Sequence, residues 1–281
     1  MLSTTFDVVN RVMHKSTARG LQKRSKNIIY KHISIDEKAV KKGHEYISIL
    51  SDEQTGIAIG AVSGRTKESV KKLCTEALTA NQCSKVETIY TDMWDAYIYA
   101  AKTYFGQAKH CHDNFHLVGY LNKAVDKVRR REVKHHEELK DTKYIYLKDQ
   151  LNLTEKQRIK FESIKGANYE VSKAWRIKEN FRDIQFKQTG EEAFKIFMRW
   201  RQDAFNAKIP EITAVAEMFD RHMKGIINAI ETGANNARAE RLNGAIQELK
   251  NIGRGYKNTD NFITAIMFFH GNLKLHSHKY L

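Results

Sequence analysis

The sequence predicts an α/β protein with a mixed five-stranded sheet, flanking helices and a long all-helical insertion before the last helix. Short apolar strands alternate with amphipathic helices over residues 32–113, and only helical periodicity follows them. The chain contains a single proline, Pro210, which favours long helices. Strands joined by tight turns pair antiparallel and strands joined through helices pair parallel, so the predicted sheet contains both arrangements.

Composition limits the classes of protein that this chain can represent. Its 281 residues correspond to one large domain or two small ones. Hydrophobic residues make up 41% of the chain, which is enough to bury a core and excludes a largely disordered protein. No apolar run approaches the roughly 18 residues that cross a bilayer, and no signal-peptide pattern opens the chain. The three cysteines have no paired spacing, as is typical of a reducing compartment.

The charge balance indicates the kind of partner. Lysine and arginine number 48 against 33 aspartate and glutamate residues, a net charge of +15. Such an excess attracts polyanions, of which nucleic acid is the commonest inside a cell. A basic enzyme with a small anionic substrate is the alternative. We therefore expect a cytoplasmic, nucleoid-associated protein that binds DNA and no membrane.

Residues 1–31 are predicted to form a basic helical arm. The stretch 8–35 contains no acidic residue, and Phe6, Val9 and Met13 supply an apolar face at helical spacing. Four cations spaced by four residues would form one stripe on this helix: Arg11, Lys15, Arg19 and Lys23. The stripe is interpreted either as a phosphate-contacting surface or as a solvated helix face.

Residues 32–113 predict the element order β-β-β-α-β-α-β. The predicted strands cover residues 32–35, 46–50, 57–62, 86–91 and 108–112. Amphipathic helices at 70–78 and 97–105 separate the later strands. The first three strands are joined by turns, one of them at Lys42-Gly43, and form an antiparallel meander.

After residue 113 the sequence predicts helices alone. Residues 114–234 form a helical insertion, in which Pro210 opens one long helix that ends at Gly233. Residues 235–281 contain the last helix and a tail, with Asn235 or Asn236 as the N-cap. Its apolar face carries Leu242, Ile246 and Leu249, which we expect to pack on the sheet.

Three acidic residues are the candidate site. Asp36 follows the first predicted strand and Asp92 the fourth, and ligands gather at the carboxyl ends of parallel strands. Neighbouring carboxylates repel each other unless a proton or a cation lies between them, and Mg²⁺ prefers such oxygen ligands. Glu240, in the first turns of the last helix, is the best third carboxylate. A lone Asp after a strand is more often a turn residue or a helix cap, which is the alternative for each aspartate taken singly.

Basic residues occur around Glu240 and at one helix end in the insertion. Near Glu240 they suit contacts with a phosphate backbone: Arg238, Arg241, Lys250, Arg254 and Lys257. The helix that begins after Asp113 ends in Arg129, Arg130 and Arg131, a second candidate for phosphate contact.

A zinc site is a competing interpretation. His110, His112, Asp113 and His116 form a cluster, and alternate strand residues share a face, so two of these histidines could bind zinc together. We favour the simpler interpretation, in which one histidine packs in the core and another meets solvent or DNA.

The residues around the three acids resemble the ISL-three family of bacterial insertion-sequence transposases, in the DDE superfamily. The matching segments follow in family order over residues 6–270: 35–37 with 42–46, 90–93 with 96–97, 112–116 leading to Asn122, 235–243 and 255–258. The resemblance implies an RNase H-like core whose catalytic and metal-binding residues are Asp36, Asp92 and Glu240. It also implies two Mg²⁺ ions, with Mn²⁺ as a substitute.

The implied chemistry is hydrolysis at the transposon ends, followed by attack of the freed 3′-hydroxyl on target DNA, with a homodimer on DNA as one arrangement. Two alternatives stay open: an RNase H-like nuclease without strand transfer, and a truncated, inactive DNA-binding remnant. Family members usually carry a cysteine-rich zinc segment and a helix-turn-helix region before the core. Residues 1–31 resemble only the tail of that region, so we expect a copy that lacks it.

Overall fold

The structure is a computed structural model that describes residues 5–41, 45–184, 189–233 and 237–276. It divides into two compact units. Met1–His110 with Asn235–Leu281 form the sheet unit, and Cys111–Ala234 form the helical unit. The predicted turn at Lys42-Gly43 and the predicted N-caps Asn235 and Asn236 lie outside the described residues.

Five strands form one mixed sheet, as predicted. They are β1 (His32–Ala39), β2 (Tyr46–Asp52), β3 (Ala58–Ser63), β4 (Thr88–Thr91) and β5 (Lys109–His112). Their order across the sheet is β3-β2-β1-β4-β5. Strand β2 pairs antiparallel with β1 and β3, whereas β1 and β4 are parallel. This confirms the α/β class and an RNase H-like arrangement.

The helices account for most of the remaining chain. In chain order they are α1 (Phe6–Gln22), α2 (Lys67–Ala77), α3 (Ala80–Cys83), α4 (Asp95–Tyr104), α5 (Asn114–Glu132), α6 (Lys143–Leu147), α7 (Glu155–Lys165), α8 (Glu170–Asp183), α9 (Gly190–Asn206), α10 (Pro210–Arg221), α11 (Met223–Thr232), α12 (Ala237–Ile252) and α13 (Thr259–His270). Short 3₁₀ turns occur at Glu137–Leu139 and Gln150–Asn152. None of the helices in the described part of the chain is long and apolar enough to cross a membrane.

Strand β1 is longer than predicted. The apolar run ends at Ile35, but the strand continues to Ala39, which pairs with Tyr46 of β2. Backbone pairing with β2 extends the strand beyond its hydrophobic residues. Asp36 therefore lies inside β1, opposite Ile49, and the prediction that it follows the strand was wrong.

The sheet buries a core on each face. On one face, Ile33 and Ile35 pack with residues of α2 and α4. On the other face, Ile47 and Ile49 pack with residues of α12 and α13. Alternate residues of a strand point to opposite faces, so the pattern of β1 and β2 divides their side chains between the two cores.

Helix α12 packs as its sequence predicts, but it is not the last helix. Leu242 and Ile246 are buried against the sheet. Helix α13 follows, and the Asn258 side chain caps it by accepting from the Asp260 and Asn261 backbone amides. The prediction of a single helix over residues 235–281 was wrong, because a short turn after α12 separates a second apolar segment.

Helix α1 forms but uses a different face from the predicted one. Phe6 is 72% exposed and Val9 is 43% exposed, so the predicted apolar face is not buried. The helix contacts α13 instead through His14, whose Nε2 lies 2.9 Å from Asn261 Oδ1. Gly20 permits a close approach, since an added Cβ would lie 2.7 Å from Leu273 Cβ.

The helical unit confirms the predicted ends of the Pro210 segment but not its continuity. Pro210 opens α10, and Gly233 ends α11 in the left-handed conformation at φ 61°. His222 interrupts the segment with φ −112° and ψ 12°, so two helices replace the single predicted one. Trp175 and Trp200 are buried in the core of this unit.

Candidate active site

The two aspartates are neighbours across parallel strands. Ile35 of β1 and Thr91 of β4 are Cα partners, and each is followed directly by an aspartate. Ile35 faces the core formed with α2 and α4, so Asp36 points to the opposite face. Adjacent strands lie about 4.8 Å apart, which places Asp36 and Asp92 side by side at the end of the parallel pairing.

Each carboxylate is held by the backbone that follows it. Asp36 Oδ1 accepts from the Glu37 amide at 2.7 Å, and Asp92 Oδ1 accepts from the Met93 amide at 2.6 Å. Thr91 Oγ1 lies 2.8 Å from His110 Nε2, which links β4 to the neighbouring strand. The local backbone therefore fixes the orientation of both acids.

Helix α12 contacts the first aspartate directly. The Asn243 amide donates to Asp36 Oδ2 at 2.5 Å. The Lys38 ammonium donates to the Asn243 carbonyl oxygen at 3.2 Å, and the Lys250 ammonium donates to the Ala39 carbonyl oxygen at 2.9 Å. Burial lowers the pKa of Lys38, and the nearby Asp36 carboxylate opposes that change. These contacts fix α12 along β1.

Glu240 lies one helical turn before Asn243. A separation of three residues puts both side chains on the same face of α12, and Glu240 is exposed there. Within the described ranges, no three His, Cys, Asp or Glu side chains gather closely enough to hold a metal ion. The structure thus makes the two aspartates neighbours and places Glu240 near the helix contact, without gathering all three into one cluster.

The chemistry of the donors suits a hard divalent cation. Asp36 and Asp92 offer carboxylate oxygens at the end of the parallel pairing of β1 with β4, and two adjacent negative charges favour a cation between them. Magnesium commonly binds through one or two carboxylates and completes its shell with water and substrate phosphate.

The predicted cations of α1 lie on the helix surface. Arg11, Lys15 and Lys23 are exposed and Arg19 is half-buried. None of the four is paired with an acid among the residues that the structure describes. Their roles in DNA binding stay predictions.

A second group of cations surrounds a cleft after α12. Arg254, Lys257 and Lys41 line this cleft, which has a volume of about 580 Å³ and no acid among its described lining residues. Arg254 and Gly255 adopt left-handed conformations at φ 50° and φ 84°, which turns the chain sharply there. Arg241 is exposed on α12, whereas the Lys250 ammonium donates to the Ala39 carbonyl oxygen on β1.

The three arginines at the end of α5 take part in ion pairs. Arg129, with 12% of its side chain exposed, donates to Asp126 at 2.7 Å. Arg130 contacts the other oxygen of the same acid but is 67% exposed. Arg131 pairs with Glu170 and Glu211. Arg129 therefore has a structural partner, and Arg130 presents more of its side chain to solvent.

The histidines of the zinc alternative have separate protein contacts. His110 contacts Thr91 in the sheet unit. In the helical unit, His112 is 3% exposed and its ring lies edge-on to His222 at 5.2 Å between centroids. An added Cβ on Gly225 would lie 2.5 Å from the His112 ring, so this glycine makes room for it.

Sequence reasoning missed a cation that lies between two aromatic rings beside the acids. The Arg65 guanidinium lies 3.9 Å from the Tyr46 ring centroid and 4.2 Å from that of Trp94, and we call these three residues the Arg65 stack. Arg65 Nη1 also donates to both Glu37 oxygens at 2.8 Å, which raises the pKa of Arg65. Arg65 occupies a loop without periodicity, so no sequence pattern pointed to it. Asn243 did carry a signal, because it shares a helix face with Glu240.

Comparisons with known proteins agree on one family. A family model described as a transposase matches residues 33–266. The chain is 22% identical over 252 residues to the transposase for insertion sequence element IS1001 of Bordetella parapertussis, covering 86% of this chain and 62% of that protein. It is 26% identical over 265 residues to the transposase for insertion sequence element IS1557 of Mycobacterium tuberculosis, covering 84% and 59% respectively. The chain spans about three fifths of the length of these curated relatives.

Proposed function

This chain belongs to the ISL-three family of insertion-sequence transposases, and from that membership we propose that it cleaves DNA at insertion-sequence ends and joins the ends to target DNA. Asp36, Asp92 and Glu240 are the proposed catalytic acids. The observation that supports the proposal is the pairing of Ile35 with Thr91 on parallel strands, each followed directly by an aspartate, with α12 bound to Asp36 through Asn243.

Divalent metal ions are part of this proposal. Two Mg²⁺ ions, or Mn²⁺ in their place, held by Asp36, Asp92 and Glu240 would polarise the phosphodiester and lower the pKa of the attacking hydroxyl or water. Asn243 orients one oxygen of Asp36, and the Glu37 amide fixes the other. The protein thereby limits the directions in which Asp36 can bind a cation.

The reaction has two displacements at phosphorus. In the first, a water oxygen bonds to the phosphorus at the transposon end, the bond to the 3′-oxygen breaks, and a 3′-hydroxyl is released. In the second, this 3′-oxygen bonds to a target phosphorus and the bond from that phosphorus to the target 3′-oxygen breaks. The attacking hydroxyl gives its proton to solvent, and the displaced 3′-oxygen takes one up to become a hydroxyl. The second step exchanges one phosphodiester for another, so it needs no external energy source.

The DNA partner is supported by charge. The chain has a net charge of +15, and its exposed cations on α1 and beside the cleft suit a phosphate backbone. Assembly of two copies on paired ends, and action on the nucleoid in the cytoplasm, belong to the same proposal.

The test is a cleavage and joining assay with the element's own flanking DNA in Mg²⁺. We expect wild-type protein to cut and join, and Asp92→Asn to do neither while it still binds DNA. Asn243→Ala removes a partner of an acid and should lower the rate by about 10- to 100-fold. Asn251→Ala is the matched control, since Asn251 lies on the same helix and its side chain accepts a hydrogen bond from Gln247 rather than contacting an acid of the site.

The outcomes separate the candidate functions. Cleavage that survives Asp92→Asn contradicts the assignment of the acids. Cleavage without joining assigns a nuclease, and DNA binding with neither reaction in the wild type assigns a binding remnant.

A further inference from the structure

Trp94 lies beside the proposed active site and remains accessible. It is two residues beyond Asp92, so their Cα atoms are separated by about 7 Å at most. It forms the N-cap of α4, and 40% of it is exposed. By contrast, Trp175 and Trp200 are 9% and 3% exposed and fill a core. Core packing therefore does not account for the position of the Trp94 indole.

The indole is held at two points by one residue. Trp94 Nε1 donates to the Arg65 carbonyl oxygen at 2.9 Å. The guanidinium of the same arginine lies over the ring, with Tyr46 on its other side. One contact fixes the in-plane direction of the indole and the other covers one of its faces.

Arg65 is itself held by the sheet. Both Glu37 oxygens accept from Arg65 Nη1. The preceding Gly64 adopts φ 85°, donates its amide to the Tyr46 carbonyl oxygen at 2.7 Å, and accepts from Ser48 Oγ at 2.8 Å. The Arg65 stack is therefore a rigid extension of β1, β2 and the β3–α2 connection.

The charge of the stack argues against a phosphate as its ligand. Glu37 neutralises the guanidinium and occupies Nη1. Trp94 is 40% exposed, whereas the Arg65 side chain is 27% exposed and is already paired, so the indole offers the larger accessible surface. Aromatic faces bind nucleobases by stacking, and a fixed ring loses little conformational entropy when it does so. An unpaired base exposes a face, whereas the base pairs in the interior of a duplex cover one another.

We infer that Trp94 is a stacking surface for one unpaired nucleobase of the DNA strand that lies against Asp36 and Asp92. This inference rests on the proposed function, because it takes the DNA strand to lie at these acids. Arg65 is a positioning residue that holds the indole in a fixed orientation. The surface selects DNA that is unwound or frayed beside the reacting phosphate over fully paired DNA.

The experiment measures equilibrium binding without divalent metal, so that it does not depend on catalysis. A single-stranded oligonucleotide from the element's end, carrying 2-aminopurine at successive positions, is compared with its fully paired duplex. We expect Trp94→Ala to lower affinity for the single strand by about 5- to 100-fold and to leave duplex affinity unchanged. Wild-type protein should quench 2-aminopurine at one position, and Trp94→Phe should retain most of the affinity.

Tyr99→Ala is the matched control. Tyr99 lies on the same helix, is 41% exposed and has the Lys67 ammonium 5.3 Å from its ring centroid. Its replacement should change neither affinity. Arg65→Lys should reduce single-strand affinity, because a lysine cannot stack as a guanidinium does.

Two results would overturn the inference: an unchanged single-strand affinity in Trp94→Ala, or an equal loss for both DNAs. Thermal unfolding of each variant shows whether the fold is intact, and Trp94→Phe tests the same point if the alanine variant is unstable. The proposed function fails separately, when strand selectivity is present but the cleavage assay shows no Asp92-dependent cutting.

Discussion

Single residues set the chemistry of this protein where sequence patterns say little. Asn243 is neutral, yet its amide contacts Asp36, and Lys38 contacts the carbonyl oxygen of the same asparagine. A charged neighbour and an amide thus act together on one carboxylate. The identity of Asp36 was visible in the sequence, but these contacts depend on the position of α12 along β1.

Cys74 is a second single residue whose burial has a measurable effect, in this case on how stability depends on pH. Its side chain lies in the core between the sheet and α2, and burial raises the pKa of the thiol from 9.0 to about 12, with a smaller contribution from Cys83. The unfolded chain loses this proton above pH 9, whereas the folded protein retains it. The stability that Cys74 contributes is complete below pH 9 and is lost as the pH rises towards 12.

We therefore expect the stability difference between wild type and Cys74→Ala to shrink by about 2 kcal/mol between pH 8 and pH 11. Urea unfolding at a series of pH values measures it. Val70→Ala, a neutral truncation in the same core, should differ from wild type by the same amount at every pH. A constant difference for Cys74→Ala would contradict the account of its burial.

At the scale of elements, one arginine joins three segments. Arg24 follows α1 and donates to the carbonyl oxygens of Ile59 and Ala58 on β3 and, at 2.6 Å, of Gly271 after α13. Burial lowers the pKa of Arg24. Among the described strands, β3 pairs with β2 alone, so Arg24 also occupies carbonyl groups on the edge strand of the sheet, where another chain could otherwise pair.

Arg24→Ala should lower the free energy of unfolding by about 3 kcal/mol, because buried carbonyl groups lose their donor. Chemical unfolding measures this loss, and light scattering detects any association through β3. Lys26→Ala, an exposed change in the same loop, is the control. A loss below about 1 kcal/mol would show that water replaces the guanidinium without cost.

The elements also show how far the sequence predicts this fold. Alternating strands and helices predicted the five strands, and the apolar spacing of α12 predicted its buried face. The end of β1 was wrong because pairing with β2 continues through polar residues to Ala39. The break at His222 was missed because apolar spacing continues across it, and the exposed face of α1 was misjudged because Gly20 and His14 make its contacts.

At the scale of the whole molecule, charge is the property that the sequence states most directly. The net charge of +15 follows from composition alone. The fold determines which of the cations remain available to bind DNA. Arg129 and Arg131 are paired with acids, whereas Arg254 and Lys257 line a cleft whose described lining residues include no acid. The candidate site is also predicted only in part by the sequence. The predicted parallel pairing implied that the two aspartates would be neighbours, but their register comes from the structure.

Replacing both Arg254 and Lys257 with alanine should weaken DNA binding uniformly across sequences. The slope of the logarithm of affinity against the logarithm of salt concentration should fall by about 2. Binding titrations between 50 and 300 mM salt, roughly the range in which counterion release is measurable, provide the test. Lys195→Ala, which removes a lysine paired with Glu191, should leave the slope unchanged. An unaltered slope in the double variant would mean that the cleft does not contact the phosphate backbone of the DNA.

The Asn243–Asp36 contact joins residues 207 positions apart, and the helical unit lies between them in the chain. A ribosome must therefore synthesise the whole helical unit before α12 can reach β1. An interrupted or prematurely terminated product would carry both aspartates and much of the positive charge, but neither Asn243 nor the glutamate one turn before it. Under the proposed function, such fragments would bind DNA without cutting it, so a nascent chain would gain its cutting activity only after the segment that follows the helical unit has been synthesised.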